Sequence, residues 1–542
     1  MLSVQLIADE IVLNGNDLTI DQIVAMSKDR PKVRIDPVAM ERVIQSHQLL
    51  LDAAKEDKPV YGLNRGVGLN KDKTLFEGAL LNEDAKQASI AFNKRNLRAT
   101  SAAVGPELPA KIVFPILMVK LNSILHGTTG AQPEVASMLL EMINQGIQPV
   151  IPGTGSMGEA DITILSHIGL AMIGEGEVYY QGKKMAASQA LELAHLKPLL
   201  PLAKDSLSIM SSNAYSSALY ALLINDIEQL VDKADAVFSL SLEGLNGNVA
   251  PFLEEVQNAR PFEGQRISAK NIRYLLDGSY LFSPSEEREL QDPLSFRSVS
   301  QTHGAVRDQL KRAKTDLMLH FKSSDDNPIV QLYPEVIPNG DQERAYYLKN
   351  QNGAVIPTAN FETINLAVDI EALAISLSHL SHASVQRMLR LSSEKFTHLT
   401  RFLTPDPQAI VFGAAQKSFV ALDGEVKALS MPVSRDLVAV AGEVEDLSTN
   451  FPFVLQRTCK MIGSIYRILG IELMHAAQAI DLRARTTDSL QLGKLTKQLY
   501  DKYRERVAFI EEDRHLSTDF ENSYQFLSCQ LIYEDCIFKE RK

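Results

Sequence analysis

Two long stretches of the chain, residues 361–400 and 448–484, constrain the fold more than any other feature of the sequence. Both contain few helix breakers, and apolar residues recur in them at three- and four-residue spacing. In the first stretch this pattern is set by Thr363, Ile364, Leu366, Val368, Ile370 and Leu373. Helices of this length, joined by short turns, bury their apolar stripes in a bundle. The sequence therefore predicts a mainly α-helical protein with a long central helix bundle.

The remaining segments are expected to divide around that bundle. We predict an N-terminal domain over 1–200 that carries active-site loops, the bundle over 201–500, and a helical tail over 501–542. A hairpin is expected around Asn14–Asp17, a helix over 36–54, and one long helix over 206–231.

Composition excludes several functional classes. The 542 residues carry a formal net charge of -12 with a pI near 5.5, which argues against a nucleic-acid partner. No segment approaches the ~20 unbroken apolar residues of a membrane span, and the N-terminus does not resemble a signal peptide. The three cysteines, Cys459, Cys529 and Cys536, form no metal-ligand spacing and suit a reducing compartment. We therefore expect a cytoplasmic protein without a metal site.

A glycine-rich loop, Gly153-Thr-Gly-Ser-Met-Gly158, precedes an apolar helix. Its spacing matches the dinucleotide fingerprint, but a lone match is weak. The segment before it contains Pro149 and Pro152, which argues against a central strand, and the alternating strand–helix pattern of dinucleotide-binding domains is missing. Asp161 is expected to cap the helix that follows.

Three motifs in order along the chain carry a family resemblance: Val60–Gly68, Pro152–His167 followed by Gly174–Glu177, and Gln291–Gly304. Shorter matches are Asp326–Pro328, Asn360–Phe361 and Val440–Asp446. Together they resemble the aromatic amino acid ammonia-lyases, the histidine and phenylalanine enzymes. The resemblance covers roughly residues 1–500 and implies the fumarase/aspartase-like helix bundle of that family. It also implies a homotetramer in which neighbouring subunits complete each site.

The resemblance implies roles for individual residues. Tyr61 corresponds to the catalytic base, and Arg297 to the arginine that grips the substrate carboxylate. Glu445 is placed near the substrate and is counted with the catalytic residues. Substrate-binding positions implied in the same way, or by proximity to them, are Asn213, Gln291, Gln301, Asn327 and Phe361.

The sequence departs from the family where its prosthetic electrophile forms. The family cyclises an Ala-Ser-Gly tripeptide into methylidene-imidazolone, whereas this chain has Glu159-Ala160-Asp161 and is one residue shorter. The family's histidine, tyrosine and asparagine at three other positions are Thr100, Leu294 and Ser211 here. The electrophile cannot form by the family's chemistry, so we expect a reaction without that cofactor.

A quaternary amine would solve the problem that the electrophile solves, because trimethylamine leaves as a neutral molecule and only a general base is then needed. Members of the family that split ergothioneine, a trimethylated thiol-histidine, lack the cofactor, and this chain resembles them in that respect. The carboxylates Glu159, Asp161, Glu445 and Glu362, and an aromatic face such as Tyr215 or Phe361, would then attract the cation.

An interpretation without a substrate role stays open for two of these residues. In that interpretation Asp161 only caps its helix and Glu159 faces solvent. Arg65 follows Tyr61 by four residues where the family has threonine. Its charge could lower the tyrosine pKa, bind an acidic group of the substrate, or do neither.

Two alternative functions remain besides a dinucleotide enzyme. A lyase of this fold could expel another good leaving group from an amino acid-derived substrate. The chain could also be an inactive binding protein, although Tyr61, Arg297 and Gln301 together argue against loss of activity.

Overall fold

The structure is a computed structural model that describes residues 10–56, 58–76, 82–334, 346–348, 353–406, 408–435, 438–487 and 490–529. Its helices, in chain order, are α1 (Ile20–Lys28), α2 (Pro37–Lys55), α3 (Glu83–Thr100), α4 (Ala110–Leu125), α5 (Pro133–Gln145), α6 (Ile162–Met172), α7 (Ala187–Leu193), α8 (Asp205–Met210), α9 (Ala214–Leu245), α10 (Glu254–Ala259), α11 (Glu263–Leu275), α12 (Leu294–Arg297), α13 (Val299–His320), α14 (Ile364–Leu391), α15 (Glu394–Thr397), α16 (Ala415–Leu429), α17 (Phe451–Ala484), α18 (Lys494–Arg504) and α19 (Leu516–Ser528).

The strands are short and form small separate sheets. They are β1 (Glu10–Leu13), β2 (Lys32–Ile35), β3 (Val104–Glu107), β4 (Gln148–Pro149), β5 (Pro152–Thr154), β6 (Glu177–Tyr180), β7 (Lys183–Ala186), β8 (Ile329–Leu332), β9 (Tyr346–Tyr347) and β10 (Gly353–Ile356). Their sheets are β1-β2, β3-β5, β4-β6-β7 and β8-β10-β9. None of these described sheets has the parallel strand order that a dinucleotide-binding domain requires.

The long helices α9, α13, α14 and α17 pack against one another as the central bundle. This confirms the predicted mainly α-helical fold with a long helix bundle. Pro452 lies in the first turn of α17, where its missing N–H leaves no helical hydrogen bond unmade. The helix therefore starts at Phe451 and continues without interruption for 34 residues.

The predicted single helix over 206–231 is divided in two. α8 ends at Met210 and α9 begins at Ala214, so Ser211, Ser212 and Asn213 form a break between them. The break turns backbone groups toward other segments, because the Asn213 N–H donates to Asp325 rather than to a preceding turn. The small polar residues of this stretch mark a junction, which helical spacing alone did not reveal.

The predicted hairpin at Asn14–Asp17 is wrong. The Asn14 side chain accepts from the N–H groups of Asn16 and Asp17, which makes a turn, but the chain then enters α1 through a capping box at Thr19. The strand before the turn, β1, pairs in parallel with β2 after α1. The predicted helix over 36–54 is confirmed as α2.

One large hydrophobic core runs through the bundle, and a smaller cluster lies beneath the loop that carries Tyr61. Helix α14 has the length and hydropathy of a membrane span, but half of that stretch is buried in the protein, as in the core helix of a bundle. Of the predicted tail, α19 is described to Ser528 and the segment from residue 530 lies outside the described residues. The proposed division at residues 200 and 500 stays a prediction.

Candidate active site

Three long helices begin around the loop formed by residues 156–161. At the start of α9, the Ser212 carbonyl accepts from the N–H of Asp161 at 2.7 Å. At the start of α14, the Thr363 hydroxyl donates to the carbonyl of Gly158 at 3.1 Å. The loop that corresponds to the family's electrophile is thus held by the bundle itself.

The loop also contacts the start of the third helix, α17, and Gly158 permits this contact. Its φ of +92° is disfavoured for side-chain-bearing residues, and an added Cβ would lie 2.3 Å from Thr449 Oγ1 and 3.0 Å from Phe451 N. One residue earlier, the Met157 carbonyl accepts from the N–H of Asn450 at 2.7 Å. A glycine is therefore required where the loop passes α17.

Asp161 stands at the N-cap position of α6 but does not cap it with its side chain. Its carboxylate instead accepts from the Ser216 N–H at 2.8 Å, the Ser216 hydroxyl at 2.6 Å and the Ser156 hydroxyl at 2.7 Å. Burial raises the pKa of Asp161 to about 6, although these hydrogen bonds oppose the shift. The expected capping role is wrong, and the carboxylate ties the loop to α9 rather than lying open to substrate.

Glu159, Glu362 and Glu445 form an acidic cluster above that loop. Glu159 and Glu362 face each other in an isolated antiparallel bridge. Both have a buried Oε1 that accepts no hydrogen bond from the described part of the chain. Burial, followed by the charges of Glu445, Glu362 and Asp446, raises the pKa of Glu159 to about 7. The prediction that Glu159 faces solvent is therefore not met, since it is half-buried among carboxylates.

Tyr61 lies beside Glu445. Its hydroxyl oxygen accepts from the N–H of Gly68 at 2.8 Å. Burial raises the pKa of Tyr61, the Gly68 N–H lowers it, and the charge of Glu445 raises it further. Arg65 is paired with Tyr61 in a backbone bridge, but its guanidinium donates to the Asn64 carbonyl at 3.2 Å. Of the three roles left open for Arg65, lowering of the tyrosine pKa is not supported, because Arg65 is not among the groups that shift the pKa of Tyr61.

Asn213 and Phe361 meet next to the acidic cluster. The Asn213 side chain donates to the Phe361 carbonyl at 2.7 Å, and its Oδ1 is buried without a donor among the described residues. Phe361 precedes Glu362 and is half-buried, so its ring remains a candidate face for a cation. The side chain of Asn327 is engaged in a structural hydrogen bond, because its Oδ1 accepts from the Thr358 N–H at 2.9 Å.

Tyr215 is not available as an aromatic face. Its side chain is fully buried in the core, and its hydroxyl donates to the Gly153 carbonyl at 2.9 Å. Tyr215 therefore supports the loop from below, and only Phe361 of the two predicted rings lies at the site.

Gln291, Arg297 and Gln301 lie elsewhere in the same chain. Arg297 Nη1 donates to Gln291 Oε1 at 2.7 Å, its Nε makes no hydrogen bond with described residues, and Gln301 accepts from the Ser300 hydroxyl at 3.2 Å.

The bundle sets the separation between this group and Tyr61. His303 of α13 contacts Asp235 of α9 at 2.8 Å, and Asp235 lies 22 positions beyond Asn213. At the helical rise of 1.5 Å per residue, this contact lies about 33 Å from Asn213 along the bundle, and Arg297, six positions before His303, lies at that far end. One chain does not bring the predicted site residues together.

Sequence reasoning missed a group of buried charges behind Asn213. Lys120, Lys204 and Asp325 belong to it, together with Asp326, which was noted only as part of a motif. Lys120 interrupts the apolar run of α4, and a lone lysine in such a run is a signal that could have found it.

Comparison with known proteins identifies the class. The Aromatic amino acid lyase family model matches residues 18–505. Histidine ammonia-lyase of Caldanaerobacter subterraneus is 31% identical over 528 residues, covering 97% of this chain and 98% of that protein. Histidine ammonia-lyase of Alkaliphilus metalliredigens is 30% identical over 512 residues, with 94% and 95% covered. The chain belongs to the aromatic amino acid lyase family and is a carbon–nitrogen lyase.

Among solved structures, the chain is similar to ergothionase, the ergothioneine-degrading enzyme of Treponema denticola, in complex with desmethyl-ergothioneine sulfonic acid. The identity is 40% and the TM-score 0.87, covering 97% of this chain and 100% of that one. Histidine ammonia-lyase of Trypanosoma cruzi shares the fold, with 24% identity and a TM-score of 0.81 over 97% and 94% of the two chains.

The residues at the loop do not fit the family's prosthetic group. Its formation needs a serine that loses water and a glycine whose nitrogen closes the ring, and Glu159-Ala160-Asp161 contains neither. The backbone N–H of Asp161 is also already donated to Ser212. The residues at 159–161 therefore do not support formation of that group by the family's chemistry.

Proposed function

We propose that this lyase eliminates a quaternary amine, with trimethylamine from ergothioneine as the favoured case, and forms a conjugated acrylic acid without a prosthetic electrophile. The observation that carries the proposal is the pair of buried Glu159 and Glu362 oxygens that make no hydrogen bond with described residues, near Glu445. Buried carboxylates without donors are costly unless a cation joins them. The 40% identity to ergothionase over 97% of the chain supports the choice of substrate.

Tyr61 would perform the proton transfer. As phenolate, it removes the proton from the carbon next to the one that bears the ammonium group, and the electron pair of that C–H bond becomes the new C=C bond. The C–N bond breaks, its electrons leave with nitrogen, and the positive charge of the ammonium is discharged as neutral trimethylamine. Glu159, Glu362 and Glu445 hold the cation until it leaves, and Arg297 binds the carboxylate. We place this reaction in the cytoplasm.

The absence of the electrophile has a direct mass test. We expect the intact mass of the purified protein to equal that of the unmodified chain, because no serine–glycine pair is present at 159–161. Borohydride, which reduces such electrophiles, should leave activity unchanged. A mass lower by two water molecules would contradict the proposal.

We further propose that the site is completed by a second subunit in a homotetramer. No arginine of the described residues forms an ion pair with the acidic cluster, whereas Arg297, whose Nε makes no hydrogen bond with described residues, lies more than about 30 Å away along the helices. Apolar residues surround Arg297 at the surface, with Leu290 90% and Leu294 66% exposed. On α14, Ile364, Val368 and Ile375 form an exposed apolar stripe of helical spacing. Exposed apolar patches of this kind mark protein–protein contacts.

Subunit complementation tests this assembly. Tyr61→Phe and Arg297→Met should each be inactive as homo-oligomers, because each lacks one half of every site. Co-expression should restore part of the activity, since mixed assemblies contain sites with wild-type Tyr61 from one chain and wild-type Arg297 from another.

The control is a mixture of the two variants purified separately and kept under conditions in which subunits do not exchange, which should stay inactive. A fully active monomer in light scattering, or no recovery in mixed oligomers shown to contain both variants, would contradict the shared site.

Trimethylamine release from ergothioneine by the purified protein is the experiment that tests the proposed reaction itself.

A further inference from the structure

Four charged side chains are buried together behind the site: Lys120, Lys204, Asp325 and Asp326. Each of the four residues is 5% exposed or less. Lys204 Nζ and Asp326 Oδ2 form an ion pair of 2.7 Å. Lys120 is fully buried, and its Nζ makes no hydrogen bond with any described residue. A buried ammonium without acceptors is destabilising by itself, so its presence calls for a function.

Asp325 connects this group to the start of α9. Its Oδ2 accepts from the Asn213 N–H at 2.7 Å and from the Ser212 hydroxyl at 2.9 Å, and its Oδ1 accepts from the Ser123 hydroxyl at 3.0 Å. The carboxylate therefore fixes the break between α8 and α9, and with it the direction in which the Asn213 side chain leaves the backbone.

Lys120 lies near Asp325, although its Nζ makes no direct hydrogen bond with that carboxylate. It precedes Ser123 by three positions on α4, so the two share one face of that helix, and Ser123 contacts Asp325 directly. Burial lowers the pKa of Lys120, while the charges of Asp325 and Asp326 raise it and that of Lys204 lowers it. Asp325 and Lys120 are thus two buried opposite charges, and each favours the ionised form of the other.

We propose that Lys120 is a positioning residue, whose positive charge keeps the Asp325 carboxylate ionised on the backbone amide of Asn213 and so orients the Asn213 side chain in the site. The assignment of Asn213 to substrate rests on the proposed function, whereas the link between Lys120 and Asp325 does not. Lys120 itself makes no hydrogen bond with any predicted substrate-binding residue that the structure describes.

The charges around Asp325 predict what removal of Lys120 does. Burial raises the pKa of Asp325, but Lys120, His320 and the hydrogen bonds from Asn213 and Ser212 bring it below its ordinary value. The other charged or titratable groups on the surrounding elements are Asp326, Lys204, His126 and Asp161. Without Lys120, burial is opposed only by His320 and the hydrogen bonds, so Asp325 takes up a proton at higher pH.

The experiment compares pH profiles of turnover of ergothioneine by wild-type protein and Lys120→Met. Loss of a nearby opposite charge shifts a carboxyl pKa up by about 1–3 units, so a second ionisation should appear in the variant at acidic pH, where kcat then falls more steeply than in the wild-type protein. Lys233→Met is the matched control, because it removes a half-buried lysine that donates to the Leu527 carbonyl in the C-terminal region. Its acidic limb should stay where the wild-type limb lies.

Melting temperatures of Lys120→Met, Asp325→Asn and the double variant give a readout that does not depend on substrate. Removing one charge leaves the other buried without its counter-charge. The decrease in melting temperature of the double variant should therefore be much smaller than the sum of the decreases in the two single variants. It also provides a folded protein if Lys120→Met alone does not fold.

Additive losses, or a lower melting temperature with an unchanged acidic limb, would overturn the positioning role. If wild-type protein does not turn over ergothioneine, the proposed substrate fails, and the additivity of the melting temperatures still decides the link between Lys120 and Asp325.

Discussion

Tyr61→Phe is expected to lower kcat by about 10²–10⁴-fold, the loss typical of removing a general base. The substitution keeps the ring and removes only the oxygen that accepts from the Gly68 N–H. That N–H favours the phenolate, whereas burial and Glu445 disfavour it. The phenolate of Tyr61 is therefore sparsely populated in the free protein, and its formation depends on neighbouring groups.

Substrate binding favours phenolate formation in our account. A quaternary cation beside Glu445 offsets the carboxylate's repulsion of the phenolate, which lowers the pKa of Tyr61 in the complex. Activity rises with pH as Tyr61 ionises, so the pKa of this acidic limb should be lower in kcat than in kcat/KM, since these report the complex and the free enzyme respectively.

Tyr274→Phe is the matched control, because Tyr274 is a 63% exposed tyrosine on α11. It should retain wild-type kinetics. Wild-type turnover in Tyr61→Phe, with an unchanged melting temperature, would remove Tyr61 from the mechanism.

The second large effect is expected at Glu159. Its pKa of about 7 means that the carboxyl is largely protonated below that pH, and a permanent cation binds better to the ionised form. KM for a quaternary substrate should therefore fall as pH rises through 7 and level off above it. Binding should also release protons near pH 7, which is measurable by calorimetry in buffers of different ionisation enthalpy.

Glu159→Gln should raise KM roughly tenfold at pH 8, which corresponds to about 1.4 kcal/mol. A carboxylate and a cation about 4 Å apart attract by about 4 kcal/mol at an effective dielectric of 20, and desolvation offsets part of this. The variant should also lose most of the dependence of KM on pH around 7.

Glu443→Gln serves as its control, because Glu443 is an exposed glutamate in the same loop as Glu445. Its KM and pH dependence should match those of the wild-type protein. An unchanged KM in Glu159→Gln at pH 8 would show that this carboxylate does not hold the cation.

The fold was predictable from the sequence because its main elements are long and strongly periodic. The two stretches that predicted the bundle are α14 and α17. Both start three residues later than predicted, and α14 ends at Leu391 and not at residue 400. The break at Ser211–Asn213 was not predictable, because serine and asparagine are compatible with a helix and the break depends on Asp325, more than 110 positions away. The prediction of a hairpin was wrong because a turn signal at Asn14 does not specify which segment the preceding strand pairs with.

The site was predictable only in part. The motifs placed Tyr61, Glu159, Phe361 and Glu445 in one region, where Glu445 acts on both Tyr61 and Glu159. The sequence alone could not show whether Asp161 binds substrate. In the structure its carboxylate is buried and its oxygens accept hydrogen bonds from serines.

Arg297 shows a different limit of sequence reasoning. Its motif identifies its chemistry, but only the direction of α13 relative to α9 shows that it lies at the far end of the bundle.

Identification of the released amine tests the central claim most directly. The purified protein is incubated separately with ergothioneine, hercynine and histidine, while ultraviolet absorbance reports the conjugated acid and the amine is identified chemically. The account predicts trimethylamine and a rise in absorbance from ergothioneine, and no ammonia from histidine. Release of ammonia from histidine would contradict it, because elimination of ammonia from a primary amine depends in this family on the electrophile that Glu159-Ala160-Asp161 cannot form.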